Sequence, residues 1–210
     1  MPTRCVALLR GINVGTAKRV AMADLRAMFE ALGYTDVVTL LNSGNVVFTV
    51  GGAARADGLA KKIEAALVER TGISARVAVL TASDLATIAR EYPHGKIATD
   101  PSRSVVTVLR DASERARLAE LAQAKWGKDA FAVGSRAAYL WCPDGILNSK
   151  VWPAVERALG DAVTSRNWAT LTKLTALAGF PGREFSAVRE ESPDANPRGR
   201  APRRRAAPRS

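Results

Sequence analysis

"VVTLLNSGNVVFTV", residues 37–50, is two runs rich in valine and threonine folded around Ser43-Gly44, with an asparagine on each side. β-Branched side chains pack well on a pleated surface, and Gly and Asn accept the positive φ of a tight turn. The stretch therefore reads as a β-hairpin. Before it, "RCVALLR" (4–10) is a short apolar run suited to a buried strand. "MADLRAMFEALGY" (22–34) puts Met22, Leu25, Met28, Phe29 and Leu32 on one helical face and closes at Gly33. After it, "RADGLAKKIEAALVERTG" (55–72) turns Leu59, Ile63, Ala66 and Leu67 inward, and "ARVAVL" (75–80) is another strand. The order is β-α-β-β-α-β, the split-βαβ or ferredoxin-like arrangement.

The same order recurs downstream. "TASDLATIAREYP" (81–93) is a connecting helix that Thr81 or Ser83 can cap and Pro93 stops. "SVVTVLR" (104–110) is a strand and "SERARLAELAQAKW" (113–126) a helix. "DAFAVG" (129–134) and "AAYLWC" (137–142) are strands around Ser135-Arg136. "LNSKVWPAVERALG" (147–160) is a helix with Pro153 in its first turn or at a kink. "DAVTS" (161–165) is a short last strand, and "NWATLTKLTALAG" (167–179) an extra helix. The expectation is an α+β protein of two ferredoxin-like (α/β-plait) units with antiparallel sheets. Unit 1 spans 1–81, and 82–181 holds the helical connector, unit 2 and the extra helix. From Gly182 the chain turns to Pro, Arg, Ser and Ala, so 182–210 is expected to be a disordered tail.

Composition narrows the function classes. The net charge is +11, but six arginines after Asn196, with no acid among them, leave only +5 for the remainder. The body is thus mildly basic, and the tail, with Arg203, Arg204 and Arg205 at its centre, offers non-specific phosphate contacts to a nucleic acid. No apolar run reaches the roughly 20 residues of a membrane span, so no membrane role is expected. Two distant cysteines, Cys5 and Cys142, fit a reducing cytoplasm rather than a disulfide. A single histidine, His94, excludes a histidine-dependent triad or a multi-histidine metal site. It lies in a Pro/Gly loop and is expected to be exposed. No metal or cofactor is expected.

Topology suggests where a site would form. In a sheet ordered 4-1-3-2 the first and third strands are central, adjacent and antiparallel. Arg10-Gly11-Ile12-Asn13 should then lie beside Asn42-Ser43-Gly44-Asn45, with Lys18 and Arg19 leading into the first helix at the same end. Outward N–H groups and a helix dipole there favour an anionic small molecule. The same residues also serve plain turn chemistry. Named phosphate loops do not apply: from Gly11 the second glycine falls one place early, at Gly15, Ala17 stands where a P-loop has lysine, and no G-x-G-x-x-G occurs. A second cluster comprises Lys150 and the Arg166-Asn167-Trp168 run. Thr164, Ser165 or Asn167 can cap the last helix. Trp168 is either a core anchor or, with Arg166 and Asn167, a platform for a planar ligand.

Four motifs in order, "ALLRGINVG" (7–15), "LNSGNVVF" (41–48), "YLWCPDGILNSK" (139–150) and "TSRNWATLTKL" (164–174), make the chain resemble the bacterial domain of unknown function 1697 family across residues 3 to 180. The resemblance implies two α/β-plait units and marks Gly15 and Ser149 beside the residues above, without giving any residue a role. Thr16 stands where the family commonly has a second glycine. Three functional readings follow. The first is a non-enzymatic binding protein for a nucleotide-like or polyanionic ligand at the RGIN/NSGN edge. The second is an enzyme with a site between the units using Lys150, Arg166 and Asn167. The third is a protein-interaction module.

Overall fold

The computed structural model describes residues 2–13, 19–52, 55–160 and 163–180. The tail from 181 onward, and Lys18 with it, lie outside the described residues. The first half runs β1 (Thr3–Leu9), α1 (Met22–Ala31), β2 (Thr35–Leu40), β3 (Asn45–Val50), α2 (Ala56–Thr71) and β4 (Val77–Thr81). Its antiparallel sheet, sheet 1, is ordered β2-β3-β1-β4. The second half runs α3 (Ala82–Arg90), β5 (Ser104–Val108), α4 (Ala112–Arg117), β6 (Ala130–Val133), β7 (Ala137–Trp141), α5 (Val151–Leu159), β8 (Ser165–Asn167) and α6 (Trp168–Leu177). Its sheet, sheet 2, ordered β6-β7-β5-β8, repeats the first. Both halves are ferredoxin-like.

β1 is apolar and buried from Cys5 to Leu9, where both its faces are covered. Cys5, Ala7 and Leu9 face α1 and α2, where Leu25, Phe29, Ile63 and Leu67 complete one core. Val6 and Leu8 point the other way and share a second core with Val106, Val108 and Tyr139 of the other sheet, and with Leu85, Ile88, Trp168 and Leu171 from α3 and α6. A third core lies between β5/β7 and α5, around Leu140, Val151 and Val155. The open face of each sheet is thus closed by the other half of the chain. Polar links bind α3 to the second sheet. Tyr139 Oη donates to Ile88 O at 2.9 Å, Ser135 donates twice to the Glu91 carboxylate at 2.7 Å, and Arg136 pairs with Asp84 at 2.8 Å.

Local chemistry explains the boundaries. Thr81, not Ser83, caps α3 in a reciprocal capping box with Asp84. Pro153 sits in the first turn of α5, where no N–H is required of it. Two elements differ from expectation. The helix expected over 113–126 is only Ala112–Arg117, capped by Asp111, with a separate 3-10 turn at Leu121–Gln123. Leu121 O accepts from Ala124 N and from the Trp126 indole N–H at 2.9 Å, so a side chain takes the place of the next helical bond. The last strand is Ser165–Asn167 rather than 161–165. Asn167 is the N-cap of α6, accepting from Thr170 N at 2.8 Å, so the chain stays extended up to that cap. A Thr107–Ser165 hydroxyl contact at 2.7 Å accompanies its pairing with β5.

Gly44 tests the hairpin. Its φ is +74° and an added Cβ would lie 2.8 Å from Ile12 and 2.9 Å from Leu9. Gly44→Ala should cost about 2–4 kcal/mol, strain and overpacking together. Gly11→Ala, at φ +62° in open space, should cost only about 1–2 kcal/mol. Denaturant midpoints of the two variants check the difference, and equal losses would contradict it.

Candidate functional site

The RGIN and NSGN segments do meet. Leu8 pairs with Asn45 in the β1–β3 register, and Leu9 N donates to Gly44 O at 2.8 Å. Asn13, at φ +57°, uses its side chain like a strand partner. Its Oδ1 accepts from Val20 N at 2.8 Å, while Nδ2 donates to Val20 O at 2.8 Å and to Asn42 O at 2.9 Å. That single amide closes the loop before α1 and ties it to the hairpin turn. Asn45 is fully buried and donates to Leu40 O at 2.9 Å and Ser43 Oγ at 3.0 Å.

Arg166 reaches this junction from the other half. Its Nε donates to Asn45 Oδ1, Nη1 to Ser165 O at 2.7 Å, and Nη2 to Leu9 O at 2.8 Å and Ser43 O at 2.9 Å, with Gly44 O at 3.4 Å. No carboxylate pairs with it among the described residues. Burial pulls its pKa down to about 10, still far above neutrality, so the guanidinium stays charged and is held by oxygen dipoles alone. The SRN, RGIN and NSGN motifs are therefore one hydrogen-bonded unit.

Two cavities border this unit. One, of about 390 Å³, is lined by Asn13, Arg19, Val20, Ala21, Met22 and Asn42. It opens at the start of α1, where the cap residue Ala21 has no side-chain acceptor for the first-turn N–H groups. Arg19 is exposed there and makes no ion pair among the described residues. The other, of about 320 Å³, lies along β8, with Val105, Ile146 and Trp152 beside Arg103, Ser165 and Asn167.

The remaining sequence candidates separate cleanly. Trp168 is not a ligand platform: it is 2% exposed and its ring stacks on Tyr92 with centroids 3.9 Å apart. Asn45, having no exposed atom, is scaffold rather than a ligand contact. Lys150 is exposed and contributes its backbone N–H to Asp129 at 2.9 Å, next to Ser149, whose hydroxyl donates to the same carboxylate oxygen. His94 is buried, not exposed, with Nε2 3.3 Å from Tyr139 O and its ring edge-on to Tyr92. Both cysteines are free and buried, and burial raises both thiols, Cys5 to about 11. Sequence reading missed Tyr92, which packs on Trp168, and Arg103, which borders the β8 cavity. It also missed Glu114, which is buried against Arg110 at 2.8 Å, although its i,i+4 spacing was a usable signal.

The family described as "Protein of unknown function (DUF1697)" matches residues 2–139. The chain belongs to the DUF1697 family. The conserved bacterial protein SP0830 from Streptococcus pneumoniae has a similar fold, with a TM-score of 0.71 at 21% identity, over 85% of this chain and 99% of that one. No curated protein matches the sequence. Among the described residues of this DUF1697 chain no group of three His, Cys, Asp or Glu side chains could hold a metal, and no helix is long and apolar enough to cross a membrane.

Two predictions follow from the geometry. Arg166→Ala should destabilise the protein by about 3 kcal/mol or more, since it leaves several enclosed oxygens without donors. Arg166→Lys should restore less than half of that, because an ammonium cannot reproduce the fork. Chemical denaturation measures both, and a silent Arg166→Ala would refute the fastener. His94 is shifted down by burial, with the Tyr139 carbonyl opposing. The unfolded chain then binds more protons just below the ordinary histidine pKa of about 6.5. Stability should therefore fall as pH drops below about 6.5 and level off once the folded-state pKa is passed. His94→Gln should remove that slope, as read from unfolding midpoints across pH 5–8.

Proposed function

We propose that the protein binds a nucleotide-like or other polyanionic ligand, without catalysis, at the cavity between the RGIN turn, Asn42 and the start of α1. The observation that carries this reading is the meeting of an uncapped helix N-terminus, an exposed Arg19 with no ion pair among the described residues, and two Gly/Asn turns around about 390 Å³ of space. First-turn N–H groups and the helix dipole attract an anion, and a guanidinium offers a forked contact to phosphate. Asn13 and Asn45 are the scaffold that holds the two turns in register. On this reading residues 1–81 carry the ligand and 82–181 brace them through Arg166. Lys18, a member of the same candidate set, lies outside the described residues. The arginines of the tail, outside them too, supply non-specific phosphate contacts should the ligand be a nucleic acid. A reducing cytoplasm suits the two buried free thiols.

One residue opposes binding in a useful way. Asp24 is the acid in the first turn of α1, exposed to solvent, and competes with any anion drawn to that end. Titration calorimetry with nucleoside mono-, di- and triphosphates and with inorganic phosphate tests the reading. At least one nucleotide should bind, Arg19→Ala should weaken it about tenfold, and Asp24→Asn should strengthen it a few-fold. Neither variant should shift the melting temperature appreciably, since both side chains are exposed. Absence of binding by every nucleotide, or indifference to Arg19→Ala, would sink the proposal.

A further inference from the structure

We propose that the cavity along β8 is a separate site for a small aromatic carboxylate. Its wall is apolar: Val105 is buried on β5, and Ile146 and Trp152 stand across from it before and within the first turn of α5. Trp152 gives a flat face against which an aromatic ring can stack. The volume, about 320 Å³, lies at the small end of ligand pockets.

The polar groups around this wall include several donors. β8 is the outer strand of its sheet, and Val108 N donates to Thr164 O. Alternation of the antiparallel ladder then turns the Ser165 N–H away from β5, toward the open edge. Asn167 uses Oδ1 to cap α6, and its Nδ2 group has no partner among the described residues. Arg103 is half exposed. Its Nε faces Asp100 at 3.3 Å and its Nη1 donates to Pro143 O, which leaves Nη2 able to meet a carboxylate. Arg166 adds no donor here, because its guanidinium is engaged with sheet 1. An apolar slot with a tryptophan on one side and unmatched N–H donors on the other fits a planar ring bearing one negative group. Asp100, salt-bridged to Arg103, moderates the field and disfavours multiply charged ligands such as polyphosphates. That contrast separates this site from the basic cavity at α1.

The full chain should be titrated with 2-naphthoate by calorimetry, with naphthalene-2-carboxamide as the uncharged counterpart. Indole resonances in proton–nitrogen NMR spectra report the location. Expected results are saturable naphthoate binding, a shifted Trp152 indole signal, and at least tenfold weaker binding of the carboxamide. Arg103→Gln should weaken naphthoate about tenfold, Ser102→Trp at the exposed rim should block it, and Arg19→Ala should leave it unchanged. The two rim variants carry exposed side chains, and unchanged melting temperatures would show that they fold. No binding at millimolar naphthoate, no response of Trp152, or equal affinity for acid and amide would overturn the assignment. So would naphthoate binding that survives both rim variants.

Discussion

A single guanidinium that meets no carboxylate among the described residues organises this molecule. At the end of sheet 1 the carbonyls of Leu9, Ser43 and Gly44 converge with the amide oxygen of Asn45. Buried carbonyls need donors: Leu9 N of β1 supplies Gly44 O, and Arg166 meets Leu9 O, Ser43 O and the Asn45 amide oxygen. Arg166 supplies several N–H groups from one planar group, the only side chain that can do so in a fixed fork. Neutralisation by dipoles rather than by a carboxylate keeps the charge in place without a second buried ion to desolvate. The turn that carries these carbonyls has Gly44 at φ +74° and Leu41 at φ +58°, and a residue with a Cβ at position 44 would meet Ile12 first.

That constraint decides how the two halves face each other. Arg166 is on β8, the outer strand of sheet 2, while its partners are at the central strands of sheet 1. With the guanidinium seated, Val106 and Tyr139 are presented to Val6, Leu8 and Val47, and α3 and α6 fill the flanks. Hydrophobic burial supplies most of the stabilisation, and the arginine selects which of many apolar contacts is made. Within the second half, the Glu91–Ser135 and Asp84–Arg136 links tie α3 to the β6–β7 turn and so hold the helix that fills one flank.

Local elements were legible because their signals are local. The 37–50 hairpin, the helical faces of α1 and α2, and the Thr81 cap are written in spacing and turn residues within a few positions of each other. The adjacency of RGIN and NSGN was legible one step further out, since strand order alone implies it. What was hidden depends on distant partners. The stacking of Tyr92 on Trp168 and the burial of His94 beneath β7 join segments far apart in the chain, and neither leaves a periodic trace. The shortening of α4 turns on one indole N–H reaching Leu121 O. Arg166 was legible as a motif member but not as a fastener. Whether an arginine binds a ligand or its own backbone depends on where free carbonyls point, and that is a tertiary fact.

The same accounting separates structural from functional polar residues. Asn13, Asn45 and Arg166 have donors and acceptors matched within the chain, so a ligand there would have to displace a protein bond for each one it formed. Arg19, Arg103 and the Nδ2 of Asn167 retain unmatched capacity and border open space. These residues fall in two cavities that are neighbours through the chain, since Asn42 borders the first and the carbonyl of Ser43 is held by Arg166 beside the second. Contiguity of this kind is not coupling, which requires an element with two arrangements of similar free energy. Here the connecting guanidinium bonds to several oxygens at once. Any second arrangement would break most of those bonds together, at a cost well above the ~1–3 kcal/mol that typifies coupling between sites. The fastener that brings the two cavities close thus also insulates them, and each is expected to take its ligand without altering the other's affinity.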